Sequence, residues 1–169
     1  HTVAGAAFVS NFAFWNESGY FNGDSKLKPL LHLWSLGIEE QYYIVWPLIA
    51  WFAWKKQVNL LKVCLVLLIA SLLANIVTVK YNAVAAFFSP ATRFWELLVG
   101  SVLAYVALHR PASQPSEKQP LRNNQAAWAG LLLLLIGMVF IKPERRFPGF
   151  WALLPTLAAY LIIYAGPQA

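Results

Sequence analysis

The sequence predicts an all-α, polytopic transmembrane helix bundle of about five spans or part-spans. Three observations carry that expectation. Apolar residues make up 59% of the 169-residue chain and charged residues only 12%, about half of what a soluble domain carries. Charge-free runs cover residues 63–79, 126–141 and 147–165, or 17, 16 and 19 positions, close to the roughly 20 residues that cross a bilayer as a helix. The basic residues fall in short segments between these runs, as they do in most membrane proteins.

The elements follow in chain order. Residues 2–15 read as the end of a membrane helix. Residues 16–28 (NESGYFNGDSKLK) are polar and glycine-containing and read as a surface loop. Pro29 suits the first turn of a helix, where its missing N–H costs nothing, and that helix is expected to run to about Trp54 with a kink at Pro47. A second span covers residues 61–79, and residues 81–88 form a short apolar connection. Ser89 and Pro90 read as N-cap and first helical residue of a third span ending near Leu108. Residues 109–125, with three prolines, read as a loop, and a fourth span follows to Ile141. Residues 142–148 form a tight basic turn, and the last span starts near Gly149 with a kink expected at Pro155. Lys and Arg divide seven against six between the two sets of loops, which does not orient the bundle.

The formal charge of +6 does not indicate nucleic acid, because no groove-like alternation of aromatic and basic residues is present. Cys64 lies in an apolar run and reads as a small packing residue. No secretory signal is visible. The chain begins at His1 and stops just after a hydrophobic run, so it is expected to be an internal piece of a longer protein.

Chemistry concentrates in residues 30–47, LLHLWSLGIEEQYYIVWP, where Glu39 and Glu40 stand together in an apolar, aromatic-rich helix. Charge at that depth is costly and is usually kept for function. His32, Ser35, Glu39, Tyr42 and Trp46 are spaced 3, 4, 3 and 4 and share one face. Glu40 is turned by about 100° from Glu39, so the stripe nominates Glu39 as the inward acid. Ser35 is placed to bond Glu39, and a carboxylate in an apolar site suits proton transfer. The plainer account is a helix-end cluster reaching interfacial water, with Trp34, Tyr42, Tyr43 and Trp46 as an aromatic belt and His32 as an interfacial histidine.

The second constellation is SPATRFWELLVGSVLAY, residues 89–105, with Arg93 and Glu96 at i and i+3. Gly100 and Ala104 continue that face, and small residues four apart allow helices to approach closely. Arg93 is read either as half of a self-neutralising ion pair or as a bidentate donor for an anion or carbonyl, oriented by Glu96. There is no phosphate-binding glycine loop, no HExxH or CxxC spacing and no GxSxG elbow, and no metal site is expected.

At these residues the chain resembles the acyltransferase 3 family of bacterial integral membrane proteins, which includes O-acetyltransferases of O-antigen and peptidoglycan. The likeness runs through FVSNFAFWNESGYFNGDSKLKPLLHLWSLGIEEQYYIVWPL (8–48), AFFSPATRFWELLVGSVLAY (86–105) and FPGFWALLPTLAAYLIIYAG (147–166). It implies transfer of an acetyl or other acyl group from cytoplasmic acyl-CoA, a donor substrate and not a bound cofactor, to a hydroxyl of a cell-envelope glycan or lipid-linked sugar. It also implies a multi-pass protein of the bacterial inner membrane with loop 16–28 on the outer side. By position it places Trp34, Ser35, Glu39, Gln41, Arg93 and Glu96 in the core of the acyl-transfer site without individual roles; taken with the helical stripe, Glu39, Ser35 and His32 are the catalytic candidates and Arg93, Glu96, Trp34 and Gln41 the substrate-binding ones. Residues 1–169 would then be a partial acyltransferase domain, inactive alone. The family's first helix, with its arginine and histidine, and its C-terminal part would lie outside it. Intramembrane Glu and Arg on kinked helices equally suit a proton-coupled transporter or flippase, and a scaffold span without chemistry is the third reading.

Overall fold

A computed structural model of the chain describes residues 8–20, 33–109, 119–141 and 147–166, which are helical almost throughout, with no strand among the described residues. They fall into two compact units, His1–Leu98 and Val99–Ala169. In chain order the helices are α1 (Ser10–Tyr20), α2 (Leu33–Lys55), α3 (Leu60–Tyr81), α4 (Ala83–Phe88), α5 (Pro90–His109), α6 (Gln119–Phe140) and, after a 3-10 turn at Gly149–Ala152, α7 (Leu153–Ala165).

Local chemistry sets the helix starts. The Asn59 side-chain oxygen accepts from the Lys62 N–H at 3.3 Å and the Asn82 oxygen from the Ala85 N–H at 2.9 Å, satisfying amides that a helix N-terminus leaves free. Pro90 opens α5 as expected. Two boundaries and one kink differ from expectation. Residues 16–20, expected as loop, complete α1. Polar side chains do not break a helix that is already nucleated. Helix α6 begins at Gln119, inside the expected loop, with Pro120 in its first turn. Pro155 also lies in the first turn of α7, where its missing N–H has no intrahelical partner to lose, so the mid-span kink is not needed. Helix α2 continues through Pro47. Its expected start near Pro29, the loop beyond residue 20 and the basic turn at 142–146 lie outside the described residues.

Among the described residues, three helical stretches are long and apolar enough to cross a membrane: Leu60–Tyr81, Ala83–His109 and Asn123–Phe140, with Gly149–Ala165 a shorter apolar helix. Helix α2 has 23 residues but is not among them; its Glu, Gln, Tyr and Trp side chains lower its hydropathy. The outer face of α3 is apolar, with Val66, Ile69, Leu73 and Val77 each more than half exposed. Such a continuous apolar stripe is a liability in water and a fit for acyl chains. The chain is a multi-pass membrane protein.

In the first unit α1 lies against α2 at Gly37. A Cβ there would stand 2.9 Å from Ser10 Oγ and 3.3 Å from Asn11 Oδ1, and Ser10 Oγ itself donates to the Leu33 carbonyl at 2.6 Å. Gly37→Ala is therefore expected to displace that hydroxyl and destabilise the unit by about 1–3 kcal/mol, the usual cost of overpacking. A drop in the thermal midpoint of the detergent-solubilised protein would register it. In the second unit α6 and α7 run antiparallel. Gly130 meets Ala158 and Ile162, while Gly137 meets Leu154, so advancing along one helix means retreating along the other. The close approach expected at Gly100 and Ala104 is absent among the described residues. Both are exposed, and a Cβ on Gly100 would meet open space. Cover for the Arg93 face comes instead from aromatic side chains of α2 and α4.

Candidate active site

Arg93 and Glu96 stand one turn apart on α5, with Nη2 to Oε2 at 3.1 Å and only 14% and 22% of their side chains exposed. Trp34 of α2 and Phe87 of α4 cover the guanidinium. Arg93 Cζ lies 5.4 Å from the Trp34 ring and 5.9 Å from the Phe87 ring, within the range of attraction between a cation and an aromatic face. The two rings pack at 4.3 Å, and Phe88 meets Trp34 edge-on at 5.7 Å. A planar, delocalised guanidinium tolerates such a wall better than an ammonium, and keeps its fork of donors. The second carboxylate oxygen of Glu96 is buried with no hydrogen-bond partner among the described residues.

The turn that carries Arg93 is gripped from α3. Ser71 Oγ donates to the Ala91 carbonyl at 2.6 Å and accepts from the Trp95 N–H at 3.0 Å. Asn75, one turn further along α3, donates to the Thr92 carbonyl at 2.9 Å. Thr92 Oγ1 lies 2.8 Å from the carbonyl oxygens of both Ala86 and Ser89, which ties α5 back to α4. Trp95 is 1% exposed and Asn75 fully buried.

Helix α2 presents two inward directions. Trp34, Ile38 and Tyr42 follow at i, i+4 and i+8 towards α4 and α5, where Tyr42 meets Phe94 edge-on at 5.4 Å and stacks on Trp46 at 5.9 Å. Gly37 and Gln41 face α1, and the Gln41 amide donates to the Phe8 carbonyl at 2.7 Å and to Asn11 Oδ1 at 2.9 Å. Asn11, fully buried, donates onward to the Phe88 carbonyl at 3.1 Å. The inward stripe thus runs through Ile38, one residue before the expected Glu39. Glu39 and Glu40 are both half-buried, so burial does not rank one above the other. Glu39 stands about 140° around the helix from Trp34, so the face of α2 that covers Arg93 is aromatic. Ser35 is half-buried and His32 lies outside the described residues. The structure therefore brings Trp34, Arg93 and Glu96 together and ties Gln41 to α1.

Between α2, α3 and α5 lies a cavity of about 290 Å³, lined by Tyr42, Trp46, Leu67, Ser71, Phe94 and Leu98 among others. Among the described residues no charged side chain lines it, so it lacks the charge-assisted donors that favour a phosphate or carboxylate. A polar ligand in this unit is better matched by Arg93.

A protein of Haemophilus influenzae described as uncharacterized is 33% identical over 171 residues, covering 96% of this chain and 69% of that protein. The chain belongs to the family of that protein. It is also related to enzymes named as acetyltransferases. The peptidoglycan O-acetyltransferase OatA of Listeria monocytogenes is 31% identical over 154 residues, 86% of this chain and 24% of the relative. The O-acetyltransferase OatA of Staphylococcus aureus is 33% identical over 109 residues, 62% of this chain and 18% of the relative. The chain thus spans about a quarter or less of these two named relatives. No family model matches the chain, and no solved structure does. The relationship to acyltransferases agrees with the resemblance drawn from residues 8–48, 86–105 and 147–166.

Ser71, Asn75, Thr92, Asn11 and Phe87 were not singled out by sequence reasoning. Ser71 and Asn75 did carry a signal. They are two hydrogen-bonding side chains one turn apart inside the charge-free run 63–79, and polar groups in hydrocarbon need partners. Phe87 carried none, since one phenylalanine in an apolar stretch looks like any other.

Proposed function

We propose that the chain is part of a membrane O-acyltransferase that moves an acetyl group from an acyl-CoA donor to a hydroxyl of a cell-envelope glycan, in the bacterial inner membrane. The observation that carries this reading is the Arg93–Glu96 pair, shielded by Trp34 and Phe87 on a helix long enough to span the bilayer, in a chain related to O-acetyltransferases. A buried guanidinium is a strong donor to oxygen anions, and its worth rises where water is excluded.

Transfer to a hydroxyl needs a group to take the hydroxyl proton and donors for the negative charge that develops on the acyl oxygen. Arg93 supplies the donor, to a phosphate or the acyl carbonyl of the donor substrate. Glu96 holds one guanidinium nitrogen and thereby fixes the direction of the rest. Trp34 excludes water from the guanidinium face. Glu39, half-buried on α2 with Ser35 one turn away, holds or relays the acceptor proton, and His32 and Gln41 belong to the same segment.

Deleting the full-length parent gene is expected to remove O-acetyl groups from one envelope glycan, read by mass spectrometry of purified glycans. Unchanged acetylation of every envelope glycan would defeat the proposal. Within the protein, Glu39→Gln is expected to lower acetylation by about 100-fold or more, the usual scale of lost general acid–base catalysis. Full activity at equal protein level would take Glu39 out of the mechanism.

A further inference from the structure

We infer that Ser71 of α3 is a positioning residue for Arg93, acting through the backbone of α5. The inference rests on the proposed role of Arg93 as the donor to the acyl substrate.

In an undisturbed α-helix the N–H of residue 95 bonds the carbonyl of residue 91 directly. Here the Ser71 hydroxyl stands on that pair, donating to the Ala91 carbonyl at 2.6 Å and accepting from the Trp95 N–H at 3.0 Å. Arg93 lies midway between the two backbone groups in sequence. A side chain that enters the i→i−4 ladder changes the local course of a helix. The turn that carries Arg93 is therefore held in part by a side chain of another helix. Asn75 adds a second hold at the Thr92 carbonyl, and Thr92 a third through Ala86 and Ser89. The anchors from α3 fall on backbone groups within two residues of Arg93, and the third starts from its neighbour Thr92.

The guanidinium is a long lever on that turn. Its tip lies against the packed pair of Trp34 and Phe87 rings and is tied to Glu96, so a small rotation of the turn changes the direction in which the guanidinium points. Misplacement by about 1 Å at a reacting centre can cost on the order of 100-fold in rate. The hydrogen bonds of Ser71 on this turn end on backbone groups, so its hold on Arg93 passes through the α5 backbone.

Ser71→Ala and Ser71→Thr in the full-length parent, assayed in membrane vesicles with acetyl-CoA and purified acceptor glycan, test the inference. The alanine variant is expected to lower kcat/KM for acetyl-CoA by about tenfold while leaving the KM for the glycan unchanged, a fraction of the full cost of misplacement. The threonine variant keeps the hydroxyl and is expected to restore kcat/KM for acetyl-CoA. If Ser71→Ala leaves both KM values and kcat at wild type while Arg93→Ala abolishes activity, the positioning role fails and the proposed function stands. An equal fall in kcat for both Ser71 variants, with both KM values unchanged, would make Ser71 merely structural and overturn the inference. Full activity of Arg93→Ala would instead remove the reading on which the inference rests.

Discussion

Replacing Arg93 with alanine in the full-length parent is expected to cut O-acetylation of the envelope glycan by at least about 100-fold, the scale seen when one preorganised donor to developing negative charge is removed. The residue has no substitute in its place, since Trp34 and Phe87 leave an apolar wall once the guanidinium is gone. Arg93→Lys is expected to recover only part of the loss. Lysine keeps the charge but not the planar fork that addresses Glu96 and a ligand together. The readout is O-acetyl per sugar by mass spectrometry at matched protein levels. Near-normal acetylation by the alanine variant would mean that the buried pair serves only itself.

Gly130→Leu is expected to unfold the α6–α7 hairpin or to lower its thermal midpoint sharply. Even the first carbon of a side chain at this position would stand 2.8 Å from Ile162 Cγ1 and 2.9 Å from the Ala158 carbonyl oxygen. The isoleucine can turn away, but a helix carbonyl cannot, so the helices must separate. Overpacking of this kind costs about 1–3 kcal/mol or more, and in a membrane the close backbone contact is itself a main source of helix association. Gly100→Leu serves as the control, because nothing lies within 4 Å of its Cβ position. Thermal unfolding in one detergent compares the two, and equal midpoints would contradict the packing argument.

The spans were legible because most are written in charge-free runs, and α3, α6 and α7 each end within a residue or two of where such runs end. Helix starts were harder. The Gln119 start of α6 is polar for its first turns, and a polar turn before a span has the composition of a loop. The Arg93–Glu96 pair was readable from its spacing, since i and i+3 meet on any helix. Its aromatic cover was not, because Trp34 and Phe87 come from other elements. The face of α2 misled for a physical reason. A helix with apolar residues on every side has no single inward stripe, so the order Ser35, Glu39, Tyr42 and the order Trp34, Ile38, Tyr42 look equally good until α1, α4 and α5 are in place. Gln41, nominated for substrate, is committed to Phe8 and Asn11, a partnership 30 or more residues away that no local pattern announces.

Helix α3 carries Ser71 and Asn75 on one side and Val66, Ile69, Leu73 and Val77 about half a turn away. Spinning this rod on its long axis would swing an amide into oil and aliphatic groups into the crevice, and both moves are uphill. The two polar side chains therefore work like a key in a slot. They hold the helix in azimuth and in height alike, because a slide along the axis would break the bonds to Ala91, Thr92 and Trp95 as surely as a rotation would.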